Sequence, residues 1–283
     1  MKKKYDLAYS SCPNDTFIFK GIARKLIDTK GLGFNIIHED VETLNQNAAQ
    51  ERYHITKLSV AAFGSLLDRY ALLRTGAALG KGCGPLIISL SNRQLDDTKQ
   101  PIIAVPGMGT TAYHLFCFYM ADRFPDITFK PEPMPFEKIM PAVQEGSADF
   151  GVIIHEGRFI YQNLRLDMKA DLGQWWEDTT NLPIPLGCIA VHRSIDPDTA
   201  CIIQSLIQES IAHAWSHPDM EQAYIKQFAQ EMDNDVIQQH INLYVNEFSK
   251  DIGEQGTLAI TTFFDYAQKA GLMNPADLPL FAC

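Results

Sequence analysis

The chain has 283 residues, 46% of them apolar, which is enough to bury a sizeable core in two domains or one large one. Its formal charge of −10 leaves no basic field to neutralise phosphates, so a nucleic-acid partner is excluded. Net charge does not decide the sign of a small ligand, because local backbone N–H groups can hold an anion in an acidic protein. The six cysteines (Cys12, Cys83, Cys117, Cys188, Cys201 and Cys283) form no C-x-x-C pair, which points to reduced thiols rather than a zinc site or disulfide framework. The N-terminus carries lysines but no apolar stretch of about 7–15 residues, and no run of about 18 apolar residues occurs anywhere. The expectation is a cytoplasmic protein with no membrane span.

In chain order, Tyr5–Tyr9 reads as a strand, and Asn14 or Asp15 can cap a helix through Phe17, Ile18, Ile22 and Leu26. Phe34–His38 is a second strand, Val41–Glu51 a polar helix and Ile55–Val60 a third strand. A short helix, AAFGSLLDRY, follows. Leu72–Ala78 and Leu86–Ser91 are strands around a glycine-rich turn. Pro101–Val105 is a buried strand that ends in GMGTTAY, where Thr110 and Thr111 open a helix. ITFKP supplies an extended strand, Glu137–Gln144 a helix, and Phe150–Ile154 a strand apolar on both faces. Leu166–Trp176 reads as a loop ending in a tryptophan pair, and Leu182–Val191 as an extended run. Helices fill the remainder from Asp196–Pro197 onward, and the tail NPADLPLFAC is irregular.

Strand–helix alternation followed by helices predicts an α/β protein of two lobes with a ligand cleft between them. The expected division is 1–90 plus 190–283 for the first lobe and 91–189 for the second.

Four stretches carry candidate chemistry. In SSCPNDTF, Pro13 fixes a strand-to-helix turn, and Cys12 is either a buried small hydrophobe or a nucleophile that needs a neighbouring base. In ITKLSV, Lys57 and Ser59 share a strand face; Lys57 either meets an anionic ligand or lies on an edge strand. GMGTTAY is a glycine turn into a helix N-terminus. It either binds a carboxylate or phosphate, with the threonine hydroxyls as extra donors, or is a turn with an N-cap threonine. It is neither a dinucleotide fingerprint nor a Walker loop. In GVIIHEG, His155 and Glu156 stand where a buried strand runs out, the place where open α/β sheets put their ligands. An imidazole there is either a structural histidine or a general base.

Taken in series, Ser10–Phe17 (S-x-C-P-N-D-T-F), Thr56–Ser59 (T-K-L-S), Gly107–Ala112 (G-x-G-T-T-A) and Gly151–Gly157 (G-x-I-I-H-E-G) resemble the 1,4-dihydroxy-6-naphthoate synthase family over essentially the whole length. Ser11 departs from the family, which has proline there. The resemblance implies a two-lobed fold like that of type II periplasmic binding proteins. The implied activity is conversion of cyclic dehypoxanthine futalosine to 1,4-dihydroxy-6-naphthoate and dihydroxyacetone in menaquinone biosynthesis. It implies His155 as proton acceptor and places Lys57, Leu58, Ser59, Thr110 and Thr111 on the segments that bind substrate; Asn14 and Gly109, in the adjoining turns, are further candidates for binding an anionic, carboxylate-bearing small molecule. It implies no metal and no organic cofactor. A homodimer is compatible with the sequence and not required by it. The rivals are the chorismate dehydratase of the same pathway, a non-catalytic small-anion binding protein, and a regulator's effector domain lacking its helix-turn-helix.

Overall fold

A computed structural model describes residues 4–229 and 233–283. The chain starts in β1 (Lys4–Tyr9) and turns into α1 (Pro13–Ala23). Pro13 occupies the first helical position, where its missing N–H costs nothing, and Cys12 is the N-cap. Asn14 and Asp15, expected as caps, therefore lie inside the first turn with their side chains buried. β2 (Gly33–His38), α2 (Val41–Ala48), β3 (Ile55–Ser59) and α3 (Val60–Gly64) follow. Asp40 caps α2 by accepting from the N–H groups of Glu42 and Thr43. Two short strands, β4 (Tyr70–Leu72) and β5 (Ala78–Gly80), end this first section.

The next section holds β6 (Leu86–Ser89), β7 (Ile102–Val105), α4 (Thr111–Arg123), β8 (Lys130–Pro133), α5 (Phe136–Gln144) and β9 (Phe150–Ile153). A short helix α6 (Gly157–Ile160) and a 3-10 turn over Tyr161–Leu164 lead to β10 (Asp167–Asp171) and α7 (Leu172–Thr180). The loop expected over Leu166–Trp176 is thus a strand and the start of a helix. β10 reads as polar because it is an outermost strand, half exposed and paired only with β6. β8 begins three residues later than ITFKP suggested and carries Pro131 and Pro133, tolerable because it too lies at a sheet edge.

The long strand β11 (Ile184–His192) returns the chain to the first sheet, whose order is β2-β1-β3-β11-β4, with β5 also on β11. β1 is parallel to β2 and β3; β11 is antiparallel to β3, β4 and β5. The second sheet has the order β10-β6-β9-β7-β8, parallel at β9-β7-β8 and antiparallel at β10-β6-β9. Helices α8 (Pro197–Ser216), α9 (Gln222–Phe228), α10 (Asn234–Tyr244), α11 (Glu247–Lys250) and α12 (Gly253–Lys269) complete the chain. α8, α9 and α10 pack around α1, which explains why Pro13–Ile22 is buried on every face. The tail is not wholly irregular: Leu72 N–H donates to Leu280 O, and Ala282 N–H donates to Leu72 O.

This is the expected two-lobed α/β architecture. Sheet membership changes between Gly80 and Leu86 and again between Asp171 and Ile184, so Leu86–Ser89 lies with the second sheet and Ile184–Ile189 with the first. We propose lobe boundaries at these two crossings rather than at 90/91 and 189/190, because each sheet is one hydrogen-bonded unit.

The crossings touch at Gly84 and Gly173. A Cβ on Gly84 would stand 2.3 Å from the backbone N and Cα of Gly173, neither of which can rotate away. Gly84→Ala should therefore destabilise the protein by about 1–3 kcal/mol, seen as a lower urea midpoint. An unchanged midpoint would show that the crossings separate without cost.

Candidate active site

Between the sheets lies a cavity with about 660 Å³ of space not filled by atoms. Asn14, Lys57, Leu58, Ser59, Thr110, Thr111 and His155 all line it, joined by Ser10, Asp15, Leu186, Gly187 and Tyr244. Residues separated by more than a hundred positions meet here because β1, β3 and β9 all end at the cleft.

Its floor is an ion pair. Lys57 Nζ lies 2.8 Å from Asp15 Oδ1, with both side chains almost fully buried, and also donates to Gly76 O at 3.1 Å. β3 is a central strand between β1 and β11, so the edge-strand alternative for Lys57 is ruled out. The ammonium serves Asp15. Asp15 Oδ2 accepts from Ser10 N (3.2 Å) and Ser10 Oγ (2.7 Å), and Asn14 Nδ2 donates to Oδ1 at 2.8 Å. Ser59 is held twice by Asn45 of α2, its N–H donating to Oδ1 at 3.0 Å and its Oγ accepting from Nδ2 at 3.1 Å.

The threonine hydroxyls are already engaged. Thr110 Oγ1 caps α4 by accepting from Tyr113 N at 3.2 Å and donates to Gly107 O at 2.7 Å. Thr111 Oγ1 donates to Leu186 O at 2.7 Å and accepts from Ala61 N at 3.3 Å, tying α4 to both β11 and α3. Tyr113 N–H is taken by that cap and His114 N–H donates to Thr110 O, so the donors left for a ligand are the N–H groups of Thr111 and Ala112, which have no acceptor within the helix. Gly109 is not in the cavity wall. Its N–H donates to the Glu42 carboxylate, which burial pushes above the ordinary carboxylate pKa. That carboxylate presses so closely on Gly107 (φ +143°) that a Cβ there would come within 2.4 Å of it.

His155 follows β9 at φ +55°, the left-handed region that a non-glycine residue occupies only under constraint. Its ring packs edge-on against Phe136, centroids 5.0 Å apart. Nδ1 is 3.5 Å from Cys12 Sγ, and Nε2 is buried with no hydrogen-bond partner among the described residues. Burial lowers its pKa from 6.5 to about 4, so the imidazole is neutral and able to accept a proton. Cys12 is the reverse: burial raises its thiol well above the ordinary value, which disfavours the nucleophilic thiolate. Among the described residues, no group of three or more metal-ligating side chains could hold a metal ion. No described helix is long and apolar enough to cross a membrane.

Sequence reasoning missed Asp15 as the hub of the site and took it for a cap. It also missed His240 of α10, whose Nε2 lies 2.9 Å from Asn14 Oδ1. Asp15 stood inside a signature already singled out; nothing local marks His240.

Two lobes, two crossings and a cavity between the sheets define a periplasmic-binding-protein-like fold. The aliphatic sulphonate-binding protein SsuA of Escherichia coli shares that fold alone, with a TM-score of 0.67 at 12% identity over 99% of this chain and 91% of that one. A crystal structure of an Archaeoglobus fulgidus protein is more similar, with a TM-score of 0.88 at 31% identity, covering 95% of this chain and 98% of that one. A family model described as menaquinone biosynthesis matches residues 5–269, and the chain belongs to that family. Its curated relatives include the 1,4-dihydroxy-6-naphthoate synthases of Thermus thermophilus, 39% identical over 97% of this chain and 98% of that protein, and of Streptomyces coelicolor, 41% identical over 94% of each.

Two outcomes follow from the buried charges. Asp15→Asn leaves Lys57 as an unpaired buried cation and should cost about 3–5 kcal/mol of stability, measured by denaturant unfolding; a loss below about 1 kcal/mol would mean the pair is not buried in solution. His114 and His155 both have folded pKa values of about 4, against 6.5 when unfolded. The unfolded chain then binds more protons between these values, and stability falls as pH drops from 6.5 toward 4. Each histidine contributes a loss of about 2 kcal/mol between pH 7 and pH 5. The urea midpoint should fall over that interval, and His114→Phe should shrink the fall.

Proposed function

We propose that the protein is a carbon–carbon lyase of menaquinone biosynthesis that converts cyclic dehypoxanthine futalosine to 1,4-dihydroxy-6-naphthoate and dihydroxyacetone. His155 takes the initiating proton. The observation that carries this reading is His155 itself: a neutral imidazole at the cavity wall, held in strained backbone, whose Nε2 is buried and without a partner among the described residues. The relatives from Thermus thermophilus and Streptomyces coelicolor, both named for this naphthoate, support it over nearly the full length.

A depressed pKa makes a weak base, but one that is in its accepting form at all neutral pH values. The reaction can use a weak base because forming the aromatic naphthalene ring supplies the driving force. In this reading the substrate carboxylate binds at the first turn of α4, on the N–H groups of Thr111 and Ala112, since the Lys57 charge is committed to Asp15. Closing the lobes over the ligand orients it and excludes water. We further propose a cytoplasmic location, because all six cysteines are free thiols, the state that a reducing compartment maintains.

His155→Asn is the informative substitution, because asparagine tolerates the left-handed backbone and removes the base. Turnover, followed by product absorbance, should fall by about 10²–10⁴-fold, with substrate affinity within a few-fold of wild type. Turnover close to wild type would reject His155 as the base. Conversion of chorismate in place of the futalosine would move the protein to the dehydratase of the same pathway.

A further inference from the structure

His240 lies on α10, far in sequence from every motif of the site, and is 1% exposed. Its Nε2 lies 2.9 Å from Asn14 Oδ1, and its Nδ1 is buried with no partner among the described residues. Its ring runs nearly parallel to that of His155, with centroids 6.1 Å apart and planes at 19°. Tyr244, which lines the cavity, tilts against it with centroids 4.7 Å apart.

The protons in this chain of contacts have one consistent arrangement. The Asp15 carboxylate, paired with Lys57, only accepts. The Asn14 atom 2.8 Å from it is therefore Nδ2, and the amide oxygen faces His240. Two acceptors cannot bond, so His240 Nε2 carries a proton. Burial pushes the imidazole well below its ordinary pKa of 6.5, so the ring holds that proton alone and Nδ1 is a bare lone pair.

We propose that His240 is a positioning residue: its Nε2–H holds the Asn14 carbonyl, so Asn14, with one amide N–H on Asp15, offers the cavity its second, and the ligand atom recognised there is a hydrogen-bond acceptor such as a carboxylate or carbonyl oxygen. The assignment rests on the cavity being the substrate site proposed above. It makes the polarity of Asn14 a consequence of the Lys57–Asp15 pair on one side and of a C-terminal helix on the other.

Two substitutions separate the hydrogen bond from the ring. His240→Gln keeps an N–H donor near the Nε2 position and loses the ring. His240→Phe keeps the ring and loses the donor. After circular dichroism has shown both to be folded, steady-state kinetics with cyclic dehypoxanthine futalosine should show His240→Phe raising KM about tenfold, with kcat changed less. His240→Gln should stay within about threefold of the wild-type KM. The opposite order, with Phe near wild type and Gln impaired, would overturn the assignment in favour of ring packing alone. Nitrogen-15 NMR of the wild-type protein should find His240 protonated on Nε2 only. A proton on Nδ1, or on both nitrogens, would overturn the assignment whatever the substrate. Failure of the wild-type protein to turn over the futalosine would instead remove the proposed reaction, leaving the NMR result to decide the role of His240.

Discussion

The site is built outward from the buried pair of Lys57 and Asp15. Burying two charges is costly, and a buried pair is seldom a net source of stability compared with apolar packing. What this pair does supply is direction. Asp15 sits in the first turn of α1, where the helix dipole also favours a carboxylate, and draws in Ser10 and Asn14 along with Lys57. With a carboxylate at the centre that can only accept, every surrounding polar group must turn a donor toward it. The orientation of the cleft floor is thereby determined before any ligand arrives, which is the preorganisation that a binding or catalytic site needs.

The same pair changes where an anion would be held. A lysine in a cleft invites the reading of a direct counter-ion, but this ammonium is spent on Asp15 and on Gly76 O. The glycine turn before α4 is likewise partly occupied, by Glu42. The protein is acidic overall, and a second cavity, which shares Val41 with the first, is lined by Glu39, Asp40, Glu42 and Glu137. Under the proposed reading, selection of a carboxylate falls to backbone dipoles at short range and not to a long-range field.

Much of the fold was legible because its strands are short apolar runs that end in recognisable turns. Phe150–Ile153 and Ile102–Val105 are buried on both faces, and the turns after them carry proline, glycine and capping residues with defined backbone preferences. The misreadings fall where those signals weaken. β10 has polar composition because water covers part of it, so it looked like loop. Asp15 looked like an N-cap because caps and buried first-turn carboxylates share a residue type; Pro13 decided between them by taking the first helical position.

The amino-acid sequence by itself determined most of the local units: the apolar strands, most helix starts, that Lys57 lies within a strand, and that Ser59, Thr110, Thr111 and His155 each stand at a strand end or helix mouth. Those are properties of periodicity and backbone preference within a few residues. Only the tertiary structure decided what these groups face. Lys57 pairs across 42 residues, the threonine hydroxyls reach Gly107 in their own turn and Leu186 on another strand, Cys12 meets His155 across 143 residues, and His240 meets Asn14 across 226. Charge state, tautomer and free hydrogen-bonding capacity depend on such neighbours and on burial, and neither is encoded in the spacing of residues along the chain.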